Sequence, residues 1–297
     1  MAAEHHCTKK DLLNLRPRHD SIVCIDSDGC VFDTMELKQK VCFHPQIISH
    51  WHLEPIARYV RETAEFVNLY SKGRGRNRFL CLVDTFDLLR NRPEVVASGV
   101  QVPEFRRLRQ WMASGKVLGN PALRKEVEKS GDPESADLLE WSLAVNERVA
   151  ADAKDVPCFK WVRESLEKMQ SHSDLIVVSQ TPVEALAREW RENDLDGYVS
   201  LIGGQELGTK TEQISMATEG RYSPEQILML GDAPGDRKAA KDNGALFYAI
   251  NPAHEEKSWE CFYSDAYDMF LAGEYRGEYE QRIIEEFEAL LPENPPW

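Results

Sequence analysis

Asp26 and Asp28 stand one residue apart at the end of an apolar run, in Ser21-Ile22-Val23-Cys24-Ile25-Asp26-Ser27-Asp28-Gly29. A short β-branched apolar run reads as a buried strand. On a regular strand, residues i and i+2 point to the same side. Two carboxylates so placed could hold a divalent cation through hard oxygens. One could also attack an electrophile while the other moves protons. The competing reading is a solvated Asp-Gly turn closing a strand, since such turns are common.

Three further segments carry matching chemistry. Asp174-Leu175-Ile176-Val177-Val178 ends in Ser179-Gln180-Thr181, and Gln226-Ile227-Leu228-Met229-Leu230 ends in Gly231-Asp232-Ala233-Pro234-Gly235-Asp236. Between them lies Lys210, in Gly208-Thr209-Lys210-Thr211-Glu212. Thr209 and Glu212 have capping-box spacing there, which predicts a helix start. Each segment also has a plain structural reading. Ser179 could cap a helix starting near Pro182, Lys210 could be a solvated lysine, and the Gly231–Asp236 stretch could be an ordinary loop. Against that stand the order of the groups and their shared place: Asp26, Ser179 and Asp232 all follow strand ends. In a parallel sheet those ends lie on one side, where ligands bind.

These residues resemble the motifs of the haloacid dehalogenase (HAD) superfamily, a group made mostly of magnesium-dependent phosphatases. Asp26-Ser27-Asp28-Gly29-Cys30-Val31-Phe32-Asp33 is similar to the first motif, Ser179 to the second, Lys210 to the third, and Gly231-Asp232 with Asp236 to the fourth. Cys30 stands where relatives commonly carry Thr or Val. The resemblance covers about residues 19–36 and 153–252. It implies Asp26 as a nucleophile that forms an aspartyl-phosphate, and Asp28 as the acid and base. It implies Ser179 and Lys210 as catalytic groups that bind the phosphoryl oxygens and neutralise charge, with Gln180 beside them as a substrate-binding residue. It also implies Mg²⁺ held by Asp26, Asp28 (through its backbone carbonyl), Asp232 and Asp236. Relatives that cleave carbon–halogen bonds do not need the acid, and those that cleave phosphonates carry Ala in its place, so Asp28 favours phosphate monoesters.

The spacing of apolar residues supplies the elements that would position these groups. Five runs, 21–25, 174–178, 198–202, 226–230 and 246–250, read as strands. Helical spacing over 158–170 and 183–192 separates later strands. The alternation predicts an α/β fold: a Rossmann-like parallel sheet core with helices on both faces. Helical patterns at 54–70, 103–113 and 132–150 predict a helical cap domain over 37–152, inserted into a catalytic core of 1–36 and 153–297. One long final helix is expected over about 255–291, followed by a tail ending at Trp297 that packs on the core or frays. In the cap, Lys38 and the basic stretch Ser71-Lys72-Gly73-Arg74-Gly75-Arg76-Asn77-Arg78 are candidates for reading the substrate. Arg74 and Arg76 could hold a carboxylate or second phosphate bidentately, and the stretch reads equally as a solvated basic turn. It is not a P-loop, because Gly-Lys-Ser/Thr is absent.

Composition narrows the partners. The 297 residues carry a formal net charge of −14, with 42% hydrophobic residues. Such an acidic chain is a poor candidate for nonspecific binding to nucleic acid or to an anionic membrane. No apolar run approaches ~18 residues, so no membrane span is expected. The polar start (Glu4, His5, His6, Lys9, Lys10, Asp11) lacks an apolar signal segment. Seven cysteines without framework or metal spacing suggest reduced thiols and a cytoplasmic protein. The expectation is a Mg²⁺-dependent phosphatase, monomeric or homodimeric, acting on a small-molecule phosphate ester. A phosphotransferase or mutase with the same core, and a catalytically silent binding protein, are the alternatives.

Overall fold

The computed structural model describes residues 7–297; the polar start at Glu4, His5 and His6 lies outside the described residues. The chain divides into two compact units. One runs to Met35 and resumes over Asp155–Pro292; the other is Glu36–Lys154 with Glu293–Trp297.

The first unit is built on five strands: β1 (Ile22–Ile25), β2 (Asp174–Val178), β3 (Leu201–Gly203), β4 (Ile227–Gly231) and β5 (Leu246–Ala249). Their order is β3-β2-β1-β4-β5 and every pairing is parallel. Strands covered on both faces should be apolar throughout rather than alternating, and β1, β2, β4 and β5 are buried along their whole length. The period of two instead sorts side chains between two cores. Val23, Ile25, Leu175, Val177, Leu228 and Leu230 enter one; Ile22, Cys24, Ile176, Val178, Ile227 and Met229 enter the other. Helix Val162–Gln170 covers the first face with Val162, Leu166 and Met169. Helices Lys210–Thr218 and Pro234–Asp242 cover the second with Ile214, Ala217, Ala239 and Ala240.

This order places β1 at the centre. The chain winds outward from β1 through β2 to β3, then crosses back to β4 on the other side of β1. Such a reversal opens a crevice beyond the carboxyl ends of the two strands that flank it. Those strands are β1 and β4, and the residues that leave them are Asp26 and Asp232.

Several boundaries differ from the sequence reading. The strand expected at 198–202 is Leu201–Gly203, because Asp196–Tyr198 closes into a 3₁₀ turn first. The helix expected over 158–170 starts at Val162, after Trp161 with φ 71°. The single helix expected over 255–291 is two. A helical stretch from Glu255 to Leu271 contains a π segment, Phe262–Ala266. It stops before Gly273 (φ 75°), and a new helix, Glu278–Ala289, begins after Gly277 (φ 110°). Positive φ costs glycine little and ends a helix readily. Between the two glycines Tyr275 turns inward, fully buried, and its hydroxyl donates to the Phe247 carbonyl at 2.8 Å.

In the second unit every named element is helical, including Ala57–Leu69, Arg78–Asn91, Arg106–Ala113 and Pro133–Asp152. Ile47, Val60, Phe86, Leu108, Trp141 and Val145 meet in its own apolar core. The last five residues belong to this unit, whereas the sequence reading gives them to the first. Trp297 meets Phe66 edge-on with ring centroids 5.6 Å apart. Arg92 lies between two rings, 4.5 Å from the centroid of Trp297 and 4.7 Å from that of Tyr59.

Candidate active site

The site begins where β1 ends. The Asp26 N–H continues the ladder to β4, donating to the Leu230 carbonyl at 3.0 Å, and Asp26 Oδ1 accepts from the Ser27 N–H at 2.8 Å. The following turn is tied by the Val31 N–H to the Ser27 carbonyl (2.9 Å) and the Gly29 N–H to the Phe32 carbonyl (2.8 Å). Two buried tryptophans brace it. Trp190 donates its indole N–H to Ser27 Oγ at 3.0 Å, and Trp259 donates to the Cys30 carbonyl at 2.8 Å.

From the end of β4 come Asp232 and Asp236, both fully buried. Asp236 sits in the first turn of helix Pro234–Asp242, and its Oδ2 accepts from the Ala233 N–H at 3.0 Å. It packs so tightly on Gly231 that a Cβ there would lie 2.3 Å from the Asp236 Cβ. Glycine is therefore the residue this approach allows.

Lys210 opens helix Lys210–Thr218. The expected capping box is formed: Thr209 Oγ1 accepts from the Glu212 N–H at 3.2 Å, and the Thr209 N–H donates to Glu212 Oε2 at 2.7 Å. Lys210 Nζ reaches Asp26 Oδ2 at 2.7 Å and Asp236 Oδ1 at 2.5 Å. Asp26, Asp232 and Asp236 each offer an oxygen within 4.8 Å of the others, and all three are buried.

Charge makes this arrangement demanding. Burial pushes the Asp26 carboxyl up from its usual range; Lys210 opposes the shift, and Asp236 and Asp232 add to it. Burial works against the Lys210 charge too, yet Asp236 and Asp26 outweigh it and hold the amine above its ordinary value. One ammonium cannot neutralise three clustered carboxylates in a low-dielectric site. A hard divalent cation fits this oxygen-only donor set, because Mg²⁺ takes few carboxylates together with waters and a ligand phosphate.

Asp28 and Ser179 follow the ends of β1 and β2. Thr181 Oγ1 donates to Asp28 Oδ2 at 2.7 Å, and Thr34 Oγ1 donates to Asp28 Oδ1. Ser179 Oγ accepts from the Thr181 N–H at 3.2 Å, which leaves its own O–H to donate. Gln180 turns its amide hydrogens to backbone, with Nε2 2.8 Å from the Gly208 carbonyl. Thr34, Thr181 and Trp190 were not among the residues picked from the sequence. The first two flank motif residues, a signal that could have drawn attention; Trp190 had only helical spacing.

Lys38, Arg74 and Arg76 lie in the second unit. Lys38 begins a π-helical stretch, Lys38–Phe43. The reading of 71–78 as a solvated basic turn does not hold at Arg74, which is 1% exposed and donates from a terminal guanidinium nitrogen to the Leu69 carbonyl at 3.0 Å. Arg76 pairs with Asp84 at 2.7 Å near the surface. Arg78 donates to Asn146 Oδ1 at 2.7 Å and lies over the Phe43 ring.

No protein-family profile matches the chain, and no curated protein matches it. Solved structures do. A haloacid dehalogenase-like family hydrolase from Xanthomonas campestris is 10% identical, with a TM-score of 0.46, over 88% of this chain and 96% of its own. One from Streptococcus pneumoniae is 15% identical, with a TM-score of 0.42, over 81% and 90%. A HAD-superfamily hydrolase from Geobacter sulfurreducens is 17% identical, with a TM-score of 0.39, over 77% and 86%.

Proposed function

We propose that the protein is a HAD-type, Mg²⁺-dependent phosphoric monoester hydrolase acting on a small phosphorylated metabolite. One observation carries the reading: Lys210 Nζ bridges Asp26 and Asp236, with Asp232 buried beside them at the exit of the two central strands. Asp26, Asp232 and Asp236, with the Asp28 carbonyl, would hold the cation. When bound, Mg²⁺ supplies positive charge that offsets the repulsion between a carboxylate and a phosphate dianion.

Asp26 attacks phosphorus, forming an Oδ–P bond as the P–O bond to the leaving group breaks. Asp28 gives its proton to the departing oxygen. Asp28, now ionised, takes a proton from water as the water oxygen bonds to phosphorus and the Oδ–P bond breaks. Inorganic phosphate leaves and Asp26 is restored. The hydroxyls of Thr34 and Thr181 hold both Asp28 oxygens, which fixes the acid's direction between the two steps. Lys210 and the Ser179 hydroxyl supply donors for phosphoryl oxygens, already oriented before the substrate arrives. All seven cysteines are free, in keeping with a reducing, cytoplasmic setting, and no described helix is long and apolar enough to cross a membrane.

The test is hydrolysis of a chromogenic phosphate ester with Mg²⁺ and after chelation. Wild-type protein should release phosphate only with the metal, and folded Asp26→Asn should release none. Near-wild-type turnover by folded Asp26→Asn would remove the nucleophile assignment. Appearance of the phosphoryl group on an added sugar, rather than as inorganic phosphate, would make the protein a transferase.

A further inference from the structure

Gln213 is fully buried and belongs to none of the motifs above. Its Nε2 lies 3.0 Å from the Ser179 carbonyl, 3.1 Å from the Gly204 carbonyl and 3.0 Å from the Gly208 carbonyl. These carbonyls lie at the exit of β2 and at the two ends of the segment that leads from β3 to helix Lys210–Thr218. An amide NH₂ has two hydrogens, so three acceptors share them. The other end of the amide, Oε1, has no hydrogen-bond partner among the described residues. It lies so close to β3 that a Cβ on Gly203 would sit 2.4 Å away. A carboxamide turned the other way would set its oxygen against three carbonyl oxygens, so the orientation is forced.

We infer that Gln213 is a positioning residue that locks the Ser179 loop to the helix start carrying Lys210. Gln213 stands three residues after Lys210, on the same side of the helix. The bond to the Ser179 carbonyl therefore ties the hydroxyl donor to the ammonium donor through one side chain. The Gly208 carbonyl also accepts from Gln180 Nε2, so the 179–181 loop is held from both its first and second residues. Donors for a phosphoryl group must sit within a fraction of an ångström of their working positions, and misplacement by about 1 Å can cost about 100-fold in rate. Gln213 touches no reacting atom and acts through Ser179 and Lys210. The inference rests on the phosphatase reading.

The experiment uses Gln213→Met, which keeps the length of the side chain and removes both hydrogens, and Gln213→Glu. Each is made in the wild-type and Ser179→Ala backgrounds and checked for cooperative melting, and kcat and KM are measured on a chromogenic phosphate ester with Mg²⁺. Gln213→Met should lose about 10- to 100-fold in kcat with little change in KM. In the Ser179→Ala background the same substitution should cost clearly less than in wild type, because one of the two donors it positions is gone. Gln213→Glu should keep more activity while its carboxyl is protonated and can donate, and lose it as pH rises, a limb absent from wild type. A folded Gln213→Met with wild-type kcat overturns the inference, as does an equal loss in both backgrounds. If Gln213→Met does not fold, the Gln213→Glu pH profile decides: a curve parallel to wild type overturns the role. Should wild-type protein hydrolyse no phosphate ester, or folded Asp26→Asn remain active, the phosphatase reading fails and takes this role with it. An inactive Asp26→Asn beside a wild-type Gln213→Met overturns the Gln213 role alone.

Discussion

Lys210 carries one positive charge against three buried carboxylates, and that imbalance is the central chemical fact about the site. Such a cluster is stable when a cation completes it, which is the state in which Asp26 would meet a phosphate. Asp28 is half-buried, and the Thr34 and Thr181 hydroxyls donate to its two oxygens. In the proposed reaction its side chain carries the proton, and its backbone carbonyl would face the metal. Asp28→Asn should lose orders of magnitude on alkyl phosphates, whose leaving oxygens need a proton, and much less on aryl phosphates with acidic leaving groups. A series of esters of graded leaving-group pKa measures this. A uniform loss along the series would remove Asp28 from the acid role.

At the scale of elements, the turn from β4 into helix Pro234–Asp242 decides where Asp236 sits. Gly231→Ala would drive a methyl group into the Asp236 side chain and lever it away from Lys210. The Mg²⁺ concentration for half-maximal activity should rise about 10- to 100-fold, as for other lost supports of a ligand. Titration of activity against Mg²⁺ checks this. In the second unit, His44 follows the π-helical stretch, is fully buried, and has no hydrogen-bond partner at either ring nitrogen among the described residues. Burial, with Arg61 and Lys40 nearby, pushes its pKa down to about 3. The unfolded chain then binds a proton that the folded one refuses between about pH 6.5 and about pH 3. The stability tied to neutral His44 is fully present above pH 6.5 and is lost as pH falls through that window. Denaturant melts of wild type and His44→Leu from pH 7 to pH 4 should show wild type losing stability faster. Parallel curves would mean that the ring is not held neutral by the fold.

For the whole molecule, the chain passes between the two units three times: after Met35, after Lys154 and after Pro292. The third passage places Trp297 against Phe66 and over the Arg92 guanidinium, which Tyr59 covers from elsewhere in the same unit. Arg92 is 6% exposed and is also paired with Glu62 and Glu94. A desolvated cation–π contact contributes about 0.5–2 kcal/mol, and Trp297 is partly exposed, which favours the lower end. Trp297→Ala should therefore lower the melting temperature of the second unit by about 2–4 °C. Calorimetry resolving the two units would read it; an unchanged transition would mean that the tail is not a stabilising part of the unit.

The sheet and the convergence of chemistry at its carboxyl edge were legible in the chain. Short β-branched apolar runs, each closed by a polar residue or a glycine, read as buried strands. Strand polarity alone then sends Asp26, Ser179 and Asp232 to one side, and the Thr209–Glu212 box marks where Lys210 begins its helix. Where two outcomes had the same local pattern, only packing chose between them. Apolar spacing continues through 255–291, yet Gly273 and Gly277 break it so that Tyr275 can reach the Phe247 carbonyl. The tail found its partner, Arg92, some two hundred residues away in sequence. Thr181, Trp190 and Gln213 act through hydrogen bonds to segments far away in the chain. Such bonds have no period and no composition, so they exist only once the tertiary structure brings donor and acceptor within 3 Å or so of each other.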